Sequence, residues 1–429
     1  MNDLGNRALA AAFRRIGING YPLPIADYEV RRLGRSVLTG KECLPIVVCY
    51  GSLFKYLEHE KKEGEKIGLF IPKAHGYCRL GQYYITLEML VKEKEIPDCA
   101  PFYLAHEVGY TGMGPEFSMA AWKGIVIADV MDDIRNSIFT LAVDKGNALK
   151  IFYNEYDEIL KIIEGKNKRD LYDKLKETAE RLKDIKLKAP LKDVAKVCIT
   201  GEIFVRSDPW SNKNLPGMLA EKGFIARRVS IHEWLFYNNY LIKKGIWKPD
   251  HTLRDWIEFF ISDAFQLKTE RKIKNIFEKS GLYEKEIINV EEFDKYSEHL
   301  ISYRLTGEPG LSVGKILKDG LERYAGLINI GPFGCMITRF TESVASNFLD
   351  IKDKINAYNF AGYKYRLENF SSDEKIPFFT IEVDGNPYPQ LLMAKFESFC
   401  LQAKRAAEKM GKLVVENKEI KNKFSELYN

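Results

Sequence analysis

The run Lys66-Ile67-Gly68-Leu69-Phe70-Ile71-Pro72 is short, apolar and closed by proline, the marks of a buried strand. Behind it Tyr83 to Glu95 carries a helical pattern, and Ala100 to Ala105 is a second strand before the glycine-bearing loop Gly109 to Gly114. Strand, helix and strand at this spacing predict a parallel βαβ unit and an α/β fold. Outward from this unit, an opening helix leads into a short extended run from Ile18 to Leu23. Leu44 to His59 is a helix with Pro45 near its start, and a long helical pattern runs from Glu116 towards Leu141.

A second α/β unit begins at Ala195 with the strand Val197-Cys198-Ile199-Thr200, and strand signals return at Gly326 to Ile330 and Phe378 to Val383. A last helix runs from Gln390 to Met410. The division expected is an N-terminal α/β domain over 1–144, a helical connector over 145–194 and a C-terminal α/β domain over 195–429 with a helical insertion at about 235–281. In the connector Lys, Glu, Leu and Ile fall at helical spacing, which reads as a mostly solvated, charged face.

The 429 residues, 45% of them hydrophobic, can bury a sizeable core. Lys+Arg number 65 and Asp+Glu 60, so the excess is only +5. The basic residues are dispersed, which argues against nucleic acid as a partner. No apolar run approaches the roughly 20 residues of a membrane span, and the first residues lack the apolar core of a signal peptide. A cytoplasmic location is expected. The seven cysteines include no C-x-x-C pair, which argues against a zinc ribbon or a thioredoxin-type site.

Three cysteines sit at chain reversals: Cys43 in Gly40-Lys41-Glu42-Cys43-Leu44-Pro45, Cys78 in Gly76-Tyr77-Cys78-Arg79-Leu80-Gly81, and Cys335 in Gly331-Pro332-Phe333-Gly334-Cys335-Met336. Each reads as a turn that ends a strand and opens a helix, where the helix dipole favours thiolate, the metal-binding form. Three such thiolates can hold an iron–sulfur cluster and leave one iron free. Cys198 and Cys400 lie in apolar stripes and read as core residues, Cys49 is about 240° round the helix from Cys43, and Cys99 is ambiguous. The alternative for the three turns is a metal-free protein with capping thiols. The six histidines form no H-x-x-x-H pair; only His75, three residues before Cys78, falls near a candidate site. Gly310-Leu311-Ser312-Val313-Gly314-Lys315 is one residue short of a phosphate loop and lacks its Ser or Thr, so ATP hydrolysis by this chain is not expected.

The strings TGKECLP, YCRLGQY, GEIFVRSDPWSNKNL with HEWLFY after it, and INIGPFGCM with FFTIEVDGNPYPQ resemble the 2-hydroxyacyl-CoA dehydratase family of iron–sulfur proteins, over nearly the whole chain and in order. The likeness is to the branch that includes the C-terminal part of large CoA-dehydratase activase fusions and the double-cubane cluster proteins. It implies two flavodoxin-like (Rossmann-like) parallel-sheet domains with the cluster between them. Cys43, Cys78 and Cys335 match the family's cluster cysteines, 35 and 257 residues apart. The chain departs from the family pattern at His75-Gly76-Tyr77, where relatives carry Ser-Gly-Pro, and at Ile337, where a proline is common.

The resemblance also implies the cofactor, a 4Fe–4S cluster or an 8Fe–9S double cubane that needs six cysteines. It implies a separate ATP-dependent activator (reductase) protein as electron donor, and a homodimer or a heterodimer with a related subunit. The expected activity is low-potential, anaerobic reductive chemistry, either 2-hydroxyacyl-CoA dehydration or reduction of a small molecule. The rival expectation is a non-catalytic, cluster-bearing electron relay or scaffold subunit. Catalytic residues are not assigned.

Overall fold

The structure is a computed structural model and describes residues 2–72, 77–103, 113–246, 252–365 and 369–415. His75, His106, His251 and part of the Gly109 to Gly114 loop lie outside the described residues. The chain opens with α1 (Asp3–Arg15), α2 (Tyr28–Ser36), α3 (Leu44–His59), β1 (Ile67–Phe70), α4 (Leu80–Glu93) and β2 (Cys99–Phe102). The helices α5 (Pro115–Leu141), α6 (Lys145–Ile163) and α7 (Leu171–Lys183) follow. The second half runs β3 (Lys196–Gly201), α8 (Leu215–Glu221), β4 (Ile225–Arg228), α9 (Ile231–Lys243), α10 (Leu253–Glu278), α11 (Val290–Ser297), α12 (Pro309–Asp319), β5 (Gly326–Pro332), α13 (Met336–Ala345), α14 (Ile351–Phe360), β6 (Phe378–Val383) and α15 (Gln390–Lys409). This is an α/β architecture with parallel sheets.

β1 and β2 pair in parallel, Ile67 opposite Cys99 and Phe70 opposite Phe102, and form a two-stranded sheet among the described residues. The second sheet has the order β4-β3-β5-β6, all parallel. β3 and β5 are buried at every residue, as strands covered on both faces must be. The chain leaves β3 for β4 on one side and returns through β5 on the other. This is the doubly wound order, whose switch point lies at the carboxyl ends of β3 and β5.

Three expectations are corrected. Ile18 to Leu23 pairs with no strand among the described residues; Pro22 within it cannot donate to a ladder. The turn at Cys43 follows a helix, not a strand: Asp27 caps α2 by accepting from the Val30 amide at 2.8 Å. The connector is not merely solvated, because Phe152, Tyr156, Ile159, Leu175 and Leu182 of α6 and α7 join α1, α5, α9 and the second half of α10 in the largest core.

α2 and α3 form a tight hairpin built on two glycines. A Cβ at Gly34 would overlap the Val47 carbonyl, and one at Gly51 would overlap the Val30 carbonyl. The hairpin docks on the second sheet: Val30, Leu44 and Val48 share a core with Val205, Trp210, Ile381 and Val383. Lys315 lies inside α12, its ammonium 2.7 Å from Glu286 and 3.6 Å from Glu233, so the phosphate-loop look-alike is a helical turn facing buried carboxylates. No helix among the described residues is long and apolar enough to cross a membrane.

Gly51→Ala should cost about 2 kcal/mol or more, as overpacking against backbone does, read as a fall in the denaturation midpoint; a variant as stable as the parent would show the hairpin is looser than drawn.

Candidate functional site

Each of the three predicted cysteines stands where a helix begins. Cys43 is the N-cap of α3, in extended backbone. Its approach is fixed by Glu42, whose carboxylate accepts from the amides of Thr39 at 3.2 Å and Gly40 at 3.0 Å. Cys335 is the N-cap of α13, set by the turn at Gly334 (φ +69°) and by its own amide donating to the Pro332 carbonyl at 3.0 Å. Cys78 lies two residues before α4, and its Sγ accepts the Leu80 amide at 3.5 Å. Arg79 ties two of the turns together by donating to the Lys41 carbonyl at 2.7 Å.

These cysteines, far apart in sequence, line one cavity of about 1220 Å³. It opens at the switch point of the second sheet, with Glu202 just past β3 and Cys335 just past β5. The end of β3 is held from beneath by Arg206, fully buried, which donates to the carbonyls of Gly201 and Val229 and pairs with Glu308 at 3.3 Å. The Glu202 carboxylate caps the following turn, accepting from the Phe204 amide at 3.0 Å and the Val205 amide at 2.8 Å.

Cys49, set aside on helical geometry, lines the same cavity. The other cysteines do not. Cys99 is buried under α3 and α4 beside Tyr50 and Leu87, Cys198 packs with Val313 and Ile316, and Cys400 packs with Phe396 and Phe399. The core placement read for Cys198 and Cys400 is the one found.

The thiols are not poised as thiolates by the helix ends alone, which revises the dipole argument. Burial pushes Cys78 up to about 12 and Cys49 up to about 12, against the Leu80 amide in the first case. Burial also raises Cys43 and Cys335, and the Glu202 carboxylate adds to the rise in both. At Cys43 the Tyr83 hydroxyl, 2.7 Å from Sγ, opposes burial by hydrogen bonding to the sulfur. Tyr83 is itself fixed: it is buried, and its carbonyl accepts from the Tyr50 hydroxyl. Burial raises the Glu202 carboxyl as well.

Among the described residues no three His, Cys, Asp or Glu side chains are gathered tightly enough to hold a metal ion. Cys43, Cys78 and Cys335 share one cavity as thiol donors, the donor chemistry that iron–sulfur clusters take. The six thiolates of a double cubane are not assembled, since Cys99, Cys198 and Cys400 sit in hydrophobic cores.

Glu202 and Tyr83 were missed by sequence reasoning, and Cys49 was undervalued. Glu202 opens GEIFVRSDPW directly after a strand, a position where parallel sheets place their ligand residues. Nothing local marks Tyr83, whose hydroxyl meets Cys43 only through the packing of α3 against α4. No family model matches the chain, and no curated protein or solved structure matches it.

In the metal-free protein a small thiol reagent should modify Cys43, Cys49, Cys78 and Cys335 before Cys99, Cys198 and Cys400, which should react only on unfolding. Peptide mass mapping over time checks this order, and early labelling of Cys198 or Cys400 would contradict the cavity assignment.

Proposed function

We propose that this chain is a cytoplasmic iron–sulfur protein that carries out low-potential reductive chemistry at the cavity, with electrons from a separate ATP-dependent activator. The observation that carries the reading is the meeting of Cys43, Cys78 and Cys335 on one cavity, from turns 35 and 257 residues apart. The resemblance to the 2-hydroxyacyl-CoA dehydratase family, with its two flavodoxin-like domains, points the same way. The second sheet has the strand order that such a domain needs.

A 4Fe–4S cluster bound there would supply single electrons at low potential and a Lewis-acidic iron. Cys43, Cys78 and Cys335 would hold it. Tyr83 orients Cys43 and donates a hydrogen bond to its sulfur, one of the means by which proteins set a cluster's potential. Glu202, anchored by two backbone amides, holds a carboxyl inside the same cavity, where it can pass a proton to a reduced substrate. The apolar walls keep water from the reduced site. The electron donor, a different polypeptide, docks near the turns at Cys43 and Cys78, and the working unit is a homodimer or a heterodimer with a related subunit.

A second reading is favoured by Cys49. A fourth thiol on the same cavity can close the ligand set, and a fully ligated cluster serves as an electron relay or scaffold and not as a catalyst.

Anaerobic purification with iron and sulfide quantification separates these. About four irons per chain are expected, with loss of iron and visible absorbance in Cys43→Ala, Cys78→Ala and Cys335→Ala. Cys49→Ala should keep its iron if the cluster is open to substrate and lose it if the cluster is a relay. Full iron content in any of the first three variants would strike that residue from the ligand set. Tyr83→Phe should retain iron and shift the cluster's potential to more negative values, as the loss of a hydrogen bond to sulfur requires. ATP alone should give no turnover; activator and a strong reductant should.

A further inference from the structure

Beyond its thiol end the cavity is a largely apolar chamber that carries a group of aromatic rings. Phe13, Phe70, Phe102 and Phe117 form one wall, with Phe13 4.6 Å from Phe117, 5.7 Å from Phe70 and 5.8 Å from Phe102 between ring centres. Phe70 and Phe102 are themselves 5.4 Å apart. Trp122, Trp234 and Phe265 also line the chamber. Phe13 and Phe117 are buried in the core and engaged by these contacts, which leaves the half-buried Phe70 and Phe102 as the rings of the four with surface towards the cavity.

The charges argue in the same direction. Among the described lining residues the cations are Lys66 and Arg79, and Arg79 is already engaged by the Lys41 carbonyl. A multiply charged phosphate ester entering here would give up water and find few cations to replace it, which is costly. Large apolar side chains stand exposed among the lining: Tyr77 at 65%, Ile261 at 65% and Ile18 at 42%. Exposed apolar groups at a cavity mark a site for an apolar partner.

We propose that the cavity takes an uncharged aromatic molecule, bound against Phe70 and Phe102 with one end towards Cys43, Cys78 and Cys335, and does not take a CoA thioester. The inference rests on the proposed function in one respect: it makes this cavity the reaction site and names its substrate class. Of the two activities that the family resemblance allows, it selects reduction of a small molecule.

The test uses N-phenyl-1-naphthylamine, a neutral fluorescent aromatic, on the metal-free protein and on the anaerobically reconstituted protein in parallel. A saturable rise in fluorescence with one site per chain is expected, reversed by biphenyl and not by equal concentrations of CoA or benzoyl-CoA. Ile261→Glu, at an exposed position, should weaken the probe about tenfold with an unchanged denaturation midpoint, and Ile261→Phe should restore binding. Absence of saturable binding overturns the proposal, as does displacement by the CoA compounds in preference to biphenyl. Unchanged affinity in Ile261→Glu places the probe elsewhere and overturns it too. Iron content, read separately on the reconstituted sample, decides the cluster, so failure of the substrate class and failure of the cluster reading give different results.

Discussion

The parallel pairing of β3 with β5 is the contact on which the site depends. Gly201 stands opposite Ile330, so the two chains leave the sheet at the same level, one into Glu202 and the other towards Cys335. The Glu202 amide still donates to the Ile330 carbonyl at 2.8 Å, which holds the two exits together one residue beyond the strand. Gly201 makes this approach possible: its φ is +104°, and a side chain there would run into the Ile330 backbone. A slip of one residue would turn every side chain of β3 to the opposite face. Both faces are buried, so such a slip would be resisted along the whole strand.

Around that point the fold brings in residues from elsewhere. The α2–α3 hairpin belongs to the first part of the chain but packs on the second sheet, and this delivers Cys43 to a site whose Cys335 comes from β5. The opposite wall is held by charge. Asp129 of α5 accepts from the Ile231 and His232 amides at the start of α9 and from His232 Nδ1 at 2.7 Å. Glu270 of α10 pairs with Lys274 at 2.6 Å and faces His232 Nε2 at 3.5 Å. α9 and α10 thus show a mixed, mainly apolar face to the cavity, with Trp234 and Phe265 on it, and hold each other and α5 through buried ionic groups, an arrangement that leaves them little freedom to rotate.

Elements whose apolar pattern is strong and local were legible in the sequence. Leu44–His59 and Phe378–Val383 fall where the pattern places them, and Gln390 does begin the last helix. α2 and β4 escaped notice for opposite reasons. α2 is polar and short, and its existence depends on the Asp27 cap and on glycine contact with α3. β4 reads Ile-Ala-Arg-Arg, and its arginines are accommodated because Arg227 meets Ser137 and the Asp133 carbonyl of α5, and Arg228 meets Asp132 of α5 and the Ser207 carbonyl. The site was legible in its three turn cysteines, because glycine and proline punctuate those turns. Its remaining residues were not, because Glu202, Tyr83 and Cys49 take their places from strand exit and helix packing, and no short motif records either.

The cavity is bounded by parts of unequal strength. On one side stand the doubly buried second sheet and the ionically braced α9 and α10. On the other stands the β1–α4–β2 unit, two-stranded among the described residues, a small assembly whose core of Ile71, Leu87 and Leu90 is completed by Ile46, Tyr50 and Leu53 of α3. Cys78 and Tyr83 ride on that lighter unit, while Cys335 and Glu202 are rooted in the heavier one. Cofactor ligation across the gap would therefore act as a latch: with thiolates on both sides bound to one inorganic body, the lighter unit is fastened to the heavier by bonds that the polypeptide alone does not supply.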